Sequence, residues 1–171
     1  MILLIACGNS LRSDDGAGLV LAELMEKSWR LGNWRVQRIS VRQLTPELAE
    51  LVAAKRVTAV VFFDSRVTNE KQGNHGVEVH QLALGSSSPS LGHHCNAETI
   101  VLYAHWLHGK NVPCWKVAVP GRDFGHGEGL STMAQEAIAE ALDVADLPPH
   151  LWLSRLAAKT LQGHSTTPHT E

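Results

Sequence analysis

Ile2-Leu3-Leu4-Ile5-Ala6-Cys7-Gly8-Asn9-Ser10-Leu11-Arg12-Ser13-Asp14-Asp15-Gly16-Ala17-Gly18 opens as an unbroken apolar run and closes in a glycine-rich, acidic loop. A short continuous apolar run is the pattern of a strand covered on both faces, so Ile2–Cys7 is predicted to be a buried strand. After the loop, Leu19, Val20, Ala22, Leu24 and Met25 recur on one side of Asp15–Arg30, the spacing of an amphipathic helix. Trp34–Val41 and Val57–Asp64 repeat the strand pattern. Between them Thr45–Lys55 begins with Thr45-Pro46-Glu47, which reads as a cap, a first-turn proline and a first-turn acid. The order βαβαβ within the first 64 residues implies parallel strands joined by right-handed crossovers.

Further along, the turn-like Ser65–Asn74 leaves no room for a helix before the next strand pattern, Gly76–Leu84. A parallel partner needs a crossover of about a dozen residues or more, so this fourth strand is expected to be antiparallel and at or near an edge. A Ser/Gly-rich loop, Gly85–Gly92, leads to a helix at Ala97–His108. A strand at Val112–Pro120 follows, then a glycine loop at Gly121–Gly129 and helices at Ser131–Val144 and Pro149–Leu161. The expected fold is a three-layer α/β sandwich, a mainly parallel five-stranded sheet with one antiparallel member and helices on both faces. Residues 1–161 are expected to form a single domain and 162–171 a disordered polar tail.

Composition narrows the function classes. Of 171 residues, 44% are apolar and 19% charged, enough to build a core without disulfide staples. A net charge of −2 offers no basic footprint for nucleic acid. Three cysteines, Cys7, Cys95 and Cys114, form no CxxC pair. The apolar start is too short to span a membrane and lacks the basic flank of a signal peptide. A cytoplasmic protein with neither membrane nor nucleic-acid partner is the expectation.

The loop from Gly8 to Gly18 lies where α/β sheets place their ligands, at the carboxyl end of a strand. Two carboxylates already occupy the start of its helix, so a phosphate would meet like charge; neither GxGxxG nor GxxxxGK[ST] is present. A cation, or a group carrying one, suits the site better. The plainer reading of Asp14 and Asp15 is that they favour the helix dipole or cap free N–H groups, and both readings hold together if Asp14 caps while Asp15 points into the crevice. Asp64 ends the third apolar run. With a strand order beginning 2-1-3, its tip flanks the same crevice, although a turn cap at Asp64-Ser65 is the simpler role. All ten histidines lie beyond residue 74, and His93-His94 immediately precede a helix. Imidazole with carboxylate suits nickel, zinc or iron(II), while a surface-loop role is equally compatible with either histidine. His126, in the late glycine loop, is a further group within possible reach. Cys95 would be a reactive thiolate only if an imidazolium lowered its pKa. No GxSxG or HExxH motif is present.

Gly8-Asn9, Leu11, Asp14-Asp15-Gly16 and Gly18 after a strand resemble the opening motif of the hydrogenase maturation endopeptidases, which trim the C-terminal extension of the [NiFe] hydrogenase large subunit. The resemblance continues at Asp64. It continues again at His93, four residues before Ala97, where many members carry proline, and seven before Ile100-Val101. It ends in Val119-Pro120-Gly121, Phe124 and Gly127-Glu128-Gly129-Leu130-Ser131, covering most of residues 1–145. The resemblance implies a metal-contacting and catalytic trio of Asp15, Asp64 and His93, with His94 as substitute for His93. It also implies nickel delivered by the substrate, and the large-subunit precursor as partner. No serine or cysteine nucleophile is then needed. Two other functions fit the same residues: a non-cleaving module that binds the large subunit, and a metal-dependent hydrolase of a small substrate.

Overall fold

The computed structural model describes residues 1–68, 75–83 and 95–164 of the chain. Its strands are β1 (Ile2–Cys7), β2 (Val36–Val41), β3 (Ala59–Val67), β4 (Glu78–Leu82) and β5 (Cys114–Gly121). Its helices are α1 (Ala17–Leu31), α2 (Leu48–Ala53), α3 (Ala97–His108), α4 (Thr132–Leu142) and α5 (Pro149–His164); a 3-10 turn, Ser13–Gly16, precedes α1. The strands form one sheet in the order β2-β1-β3-β5-β4. β1, β2, β3 and β5 run parallel, and β4 lies antiparallel to β5 at the edge. The expected α/β sandwich and its antiparallel edge strand are both present.

Alternation along the central strands explains the layers. Leu4 and Ala6 of β1, Val61 and Phe63 of β3, and Val117 and Val119 of β5 pack toward α1, α4 and α5. There Trp29 and Trp152 meet edge to face with ring centroids 5.7 Å apart, and the Trp152 indole N–H donates to the Ala141 carbonyl at 2.9 Å. Leu3 and Ile5, Val60 and Phe62, and Cys114 pack the other way, against α2 and α3. Both faces of the sheet centre are therefore closed by helices, as the continuous apolar runs require.

Boundaries differ where backbone rather than side chains decides. α3 spans the predicted residues because Asn96 caps it, accepting from the Thr99 N–H at 2.8 Å, and left-handed Gly109 ends it. α2 is only Leu48–Ala53: Thr45 makes no side-chain cap, and Thr45–Glu47 form a turn in which the Leu48 N–H donates to the Thr45 carbonyl. β3 runs three residues past Asp64, since Ser65, Arg66 and Val67 pair with Val119, Pro120 and Gly121 of β5. Asp64 thus does not end its strand, and the turn-like reading of Ser65–Val67 is corrected. β4 is shorter than predicted, at Glu78–Leu82. α5 continues to His164, so residues 162–164 of the expected tail are helical, and 165–171 lie outside the described residues, as does the Gly85–Gly92 loop. Among the described residues no helix is long and apolar enough to cross a membrane.

Candidate functional site

Asp14 and Asp15 sit in the 3-10 turn ahead of α1, not in the first turn of the helix itself, and neither turn nor helix has a side-chain cap. Their carboxylates have separate surroundings. Asp14 is fully buried. Its Oδ2 accepts the N–H groups of Arg122 at 2.7 Å and Asp123 at 2.9 Å, and its Oδ1 accepts that of Ser131, the N-cap of α4, at 2.7 Å. Burial works to raise the pKa of this carboxyl, but hydrogen bonds from Asp123, Ser131 and Arg122 outweigh it and hold the value below the ordinary range. Asp14 therefore caps not its own helix but the late glycine loop.

Backbone contacts complete that junction. The Asp14 N–H donates to the Asp123 carbonyl at 2.8 Å, Ser13 to Gly127 at 3.0 Å and Gly127 to Leu11 at 3.1 Å. The Arg12 guanidinium clamps the Phe124 carbonyl at 2.9 and 3.2 Å. Buried Ser13 is held at φ +46°, a left-handed conformation that the surrounding bonds must stabilise. The two sequence motifs, far apart in the chain, thus form one structural unit. His126 of this loop is solvent-exposed.

Asp15, one residue on, is half-buried. Two glycines bring it to β3. Gly8, at φ +146°, passes so close to the Asp15 carbonyl oxygen that any Cβ would collide with it. A Cβ on Gly18 would lie 2.9 Å from the backbone N, Cα and C of Asp64, so only glycine lets the start of α1 rest directly on that residue. Ser65 ties the contact, its hydroxyl donating to the Asp15 carbonyl at 3.4 Å and accepting the Gly18 N–H at 3.3 Å.

Asp64 is the first β3 residue past the pairing with β1, which ends at Ala6 and Phe63, while β5 continues beside it. It stands where β1 ends beside β3, and the strand order has the predicted 2-1-3 start, so its topological placement holds although the strand continues. Its Oδ1 accepts the Ser65 N–H at 2.8 Å, the turn-like bond of the simpler reading. Burial pushes its pKa up and the Asp15 charge adds to that, against the Ser65 N–H and the Lys116 ammonium. Asp15 and Asp64 are therefore neighbours through backbone packing at the crevice beyond the strand tips, where the Asp15 charge acts on the Asp64 carboxyl less strongly than the Lys116 ammonium does.

Cys7, the last residue of β1, belongs to the same crevice, a position that sequence reasoning assigned only to the strand. Burial, Asp64 and Asp15 raise its pKa to about 11, opposed by a backbone hydrogen bond from Leu44, and its Sγ lies 3.8 Å from the Arg42 carbonyl oxygen. The available signal was its register: the last residue of a strand beside the one that carries Asp64. A cavity of about 200 Å³ opens here, lined among others by Cys7, Leu44, Asp64, Cys95, Asn96 and Lys116. Burial, and then Glu47, raise the pKa of Cys95, the direction away from a thiolate.

His93 and His94 lie outside the described residues. Among the described residues no three His, Cys, Asp or Glu side chains are grouped closely enough to hold a metal ion. Of the expected trio, Asp15 and Asp64 are thus the two members with a described position.

No protein-family model matches the chain, and no curated sequence matches it. Solved structures do. A [NiFe] hydrogenase maturation protease, HycI from Thermococcus kodakarensis, is 19% identical over 85% of this chain and 89% of its own, with a TM-score of 0.54. The hydrogenase maturating endopeptidase HybD from Escherichia coli is 17% identical over 83% and 87%, at a TM-score of 0.56. A hydrogenase 2 maturation peptidase from a Thaumarchaeota archaeon is 18% identical over 84% and 93%, at 0.53. The chain has the fold of these proteases along most of its length, and the resemblance first drawn from its motifs extends to the fold.

Proposed function

We propose that this protein is a maturation endopeptidase that removes the C-terminal extension of a nickel-loaded [NiFe] hydrogenase large-subunit precursor. The observation that carries the reading is the union of Asp15 and Asp64 in one crevice of a fold shared with solved hydrogenase maturation proteases. Nickel enters as part of the substrate. Asp15, Asp64 and His93, or His94 in its place, supply the contacts that the substrate leaves open, and the metal polarises the carbonyl or water at the scissile bond. Support for a cation at this place comes from the backbone packing that sets Asp15 beside Asp64 and from the Asp15 charge that Asp64 feels. In this scheme a carboxylate of the site serves as the general base for the attacking water. Neither Cys7 nor Cys95 is a nucleophile in this scheme, in keeping with thiols held protonated by burial.

Incubation with nickel-loaded and nickel-free precursor tests the reading. The expected result is cleavage at a single site near the precursor's C-terminus, only with nickel present. Docking without cleavage would make the protein a binding module. Neither docking nor cleavage across candidate large subunits would point instead to a hydrolase of a small substrate.

A further inference from the structure

β2 is an edge strand: among the described residues it pairs only with β1. The Ile2 N–H donates to the Arg35 carbonyl and the Gly8 N–H to the Val41 carbonyl. In a parallel ladder this register turns the backbone groups of Gln37, Ile39 and Val41 inward and those of Val36, Arg38 and Ser40 outward. The Val36 carbonyl accepts the Arg30 guanidinium at 3.1 Å. The outward N–H and C=O groups of Arg38 and Ser40 have no partner among the described residues, and Ser40 is exposed. Free backbone groups in this alternation are what an added strand pairs with.

Charge follows the same edge. Between Glu26 and Glu47 the sequence has Lys27, Arg30, Arg35, Arg38 and Arg42 and no acid. Glu26 answers two of these, meeting Arg30 at 2.8 Å and Arg38 at 2.9 Å, and Glu23 answers Lys27 at 2.7 Å. Arg35 and Arg42, both exposed, flank the two ends of the strand and have no carboxylate partner among the described residues. Arg56 adds a cation on the α2 side, where its guanidinium donates to the Gln37 amide oxygen at 3.4 Å. Arg42 also lines the cavity of about 200 Å³ that Asp64 lines, so the carboxyl end of this edge opens onto the crevice already described.

We propose that the outer edge of β2 docks an acidic, extended peptide segment of a partner protein, which joins the sheet as a strand beside Arg38 and Ser40. Backbone pairing selects the extended conformation, and the flanking cations select acidic side chains. A second copy of the edge is disfavoured, because its arginines would meet these. A nucleic acid would meet the charge but leave the Arg38 and Ser40 backbone groups without strand pairing. That the segment belongs to the precursor rests on the proposed protease reading, in which a strand on this edge has one end at the crevice mouth. The preference for an acidic strand rests on the edge alone.

The test needs neither nickel nor a hydrogenase. The capped peptide acetyl-EVEVET-amide is titrated into the isotope-labelled isolated protein and followed by amide NMR, with acetyl-QVQVQT-amide as the neutral control. Saturable shifts are expected along residues 35–42 with the acidic peptide, together with slower hydrogen exchange at the Arg38 and Ser40 amides. The neutral peptide should bind about ten-fold more weakly. Ser40→Pro removes an outward N–H at a place where an edge strand tolerates proline, and should weaken the acidic peptide about ten-fold. Arg35→Glu, at an exposed side chain, should weaken it about five-fold and keeps the test decisive if the proline variant misfolds, which its own spectrum would report. Equal shifts from both peptides, no shifts along 35–42, or undiminished binding by folded Ser40→Pro or by Arg35→Glu would overturn the docking edge. So would stronger shifts from an oligothymidylate, or concentration-dependent shifts at these amides with no probe present, which would assign the edge to a second copy. Acidic-peptide binding by a protein that processes no precursor would keep the docking edge and refute the protease reading. Processing without such binding would do the reverse.

Discussion

Asp14 and Asp15 are neighbours in the chain, yet they serve two regions with opposite physics. On Asp14's side, a carboxylate with no solvent exposure is surrounded by three backbone N–H donors from a loop over a hundred residues away in sequence, and its charge is stabilised. On Asp15's side, a half-buried residue is set beside Asp64 by backbone contacts, and its charge helps to raise the Asp64 pKa. The first region stabilises the fold; in the proposed reading the second meets the nickel that the substrate carries. A buried acid with satisfied bonds reads as structural; an acid raised in pKa beside a second acid is a candidate for function.

The comparison can be broken at several points. The largest stability effect should come from Asp14→Asn, which turns one acceptor oxygen into a donor facing N–H groups and costs about 3 kcal/mol in chemical denaturation. The pH dependence follows. Asp14's folded pKa lies below its unfolded value, so its stabilisation is present above about pH 4 and is lost as pH falls through the folded value. The variant should therefore lose less stability than the parent on acidification. Gly18→Ala should cost about 2 kcal/mol and shift the Asp64 backbone, since a Cβ 2.9 Å from three backbone atoms forces α1 away from β3. An unchanged melting temperature would mean that α1 does not rest on Asp64 as described.

Asp64→Asn should have a smaller effect of opposite sign. Its folded pKa is raised, chiefly by burial, so its contribution to stability is present below the unfolded pKa and lost as pH rises through the folded one. At pH 7 the ionised group is a net cost. The variant should melt slightly higher than the parent at pH 7, with the gain vanishing toward about pH 4. A lower melting temperature at pH 7 would show Asp64 to be a structural acid like Asp14. The smallest stability effects belong to the histidines: His93→Ala and His94→Ala should both melt like the parent, while the first abolishes precursor processing and the second does not. Equal tolerance of both would remove the histidine from the proposed trio.

How much of this was legible in the sequence depends on which interaction carries the feature. Apolar runs and connection lengths are local, so the βαβαβ start could be read from runs such as Ile2–Cys7 and the antiparallel edge strand from the short connection after Asp64, while α3 has the predicted limits through the caps Asn96 and Gly109. Ser65–Val67 were misread because their strand character lies in backbone pairing with β5, which leaves no side-chain pattern. Thr45 looked like a cap, but the chain turns once more before α2 begins. Asp14 was expected to cap locally; its true partners are contributed by the 121–131 loop, and no spacing rule reaches that far. The proximity of Asp15 to Asp64 followed from topology, whereas the presence of Cys7 beside them required the register of β1 against β3.

Processing by Asp15→Asn tests the central claim most directly, measured on nickel-loaded precursor beside the parent protein at equal folded fraction, with circular dichroism as the check on folding. The account predicts a loss of about a hundred-fold or more, the scale of a misplaced reacting group, with a melting temperature close to the parent's. Full processing by the folded variant would contradict it.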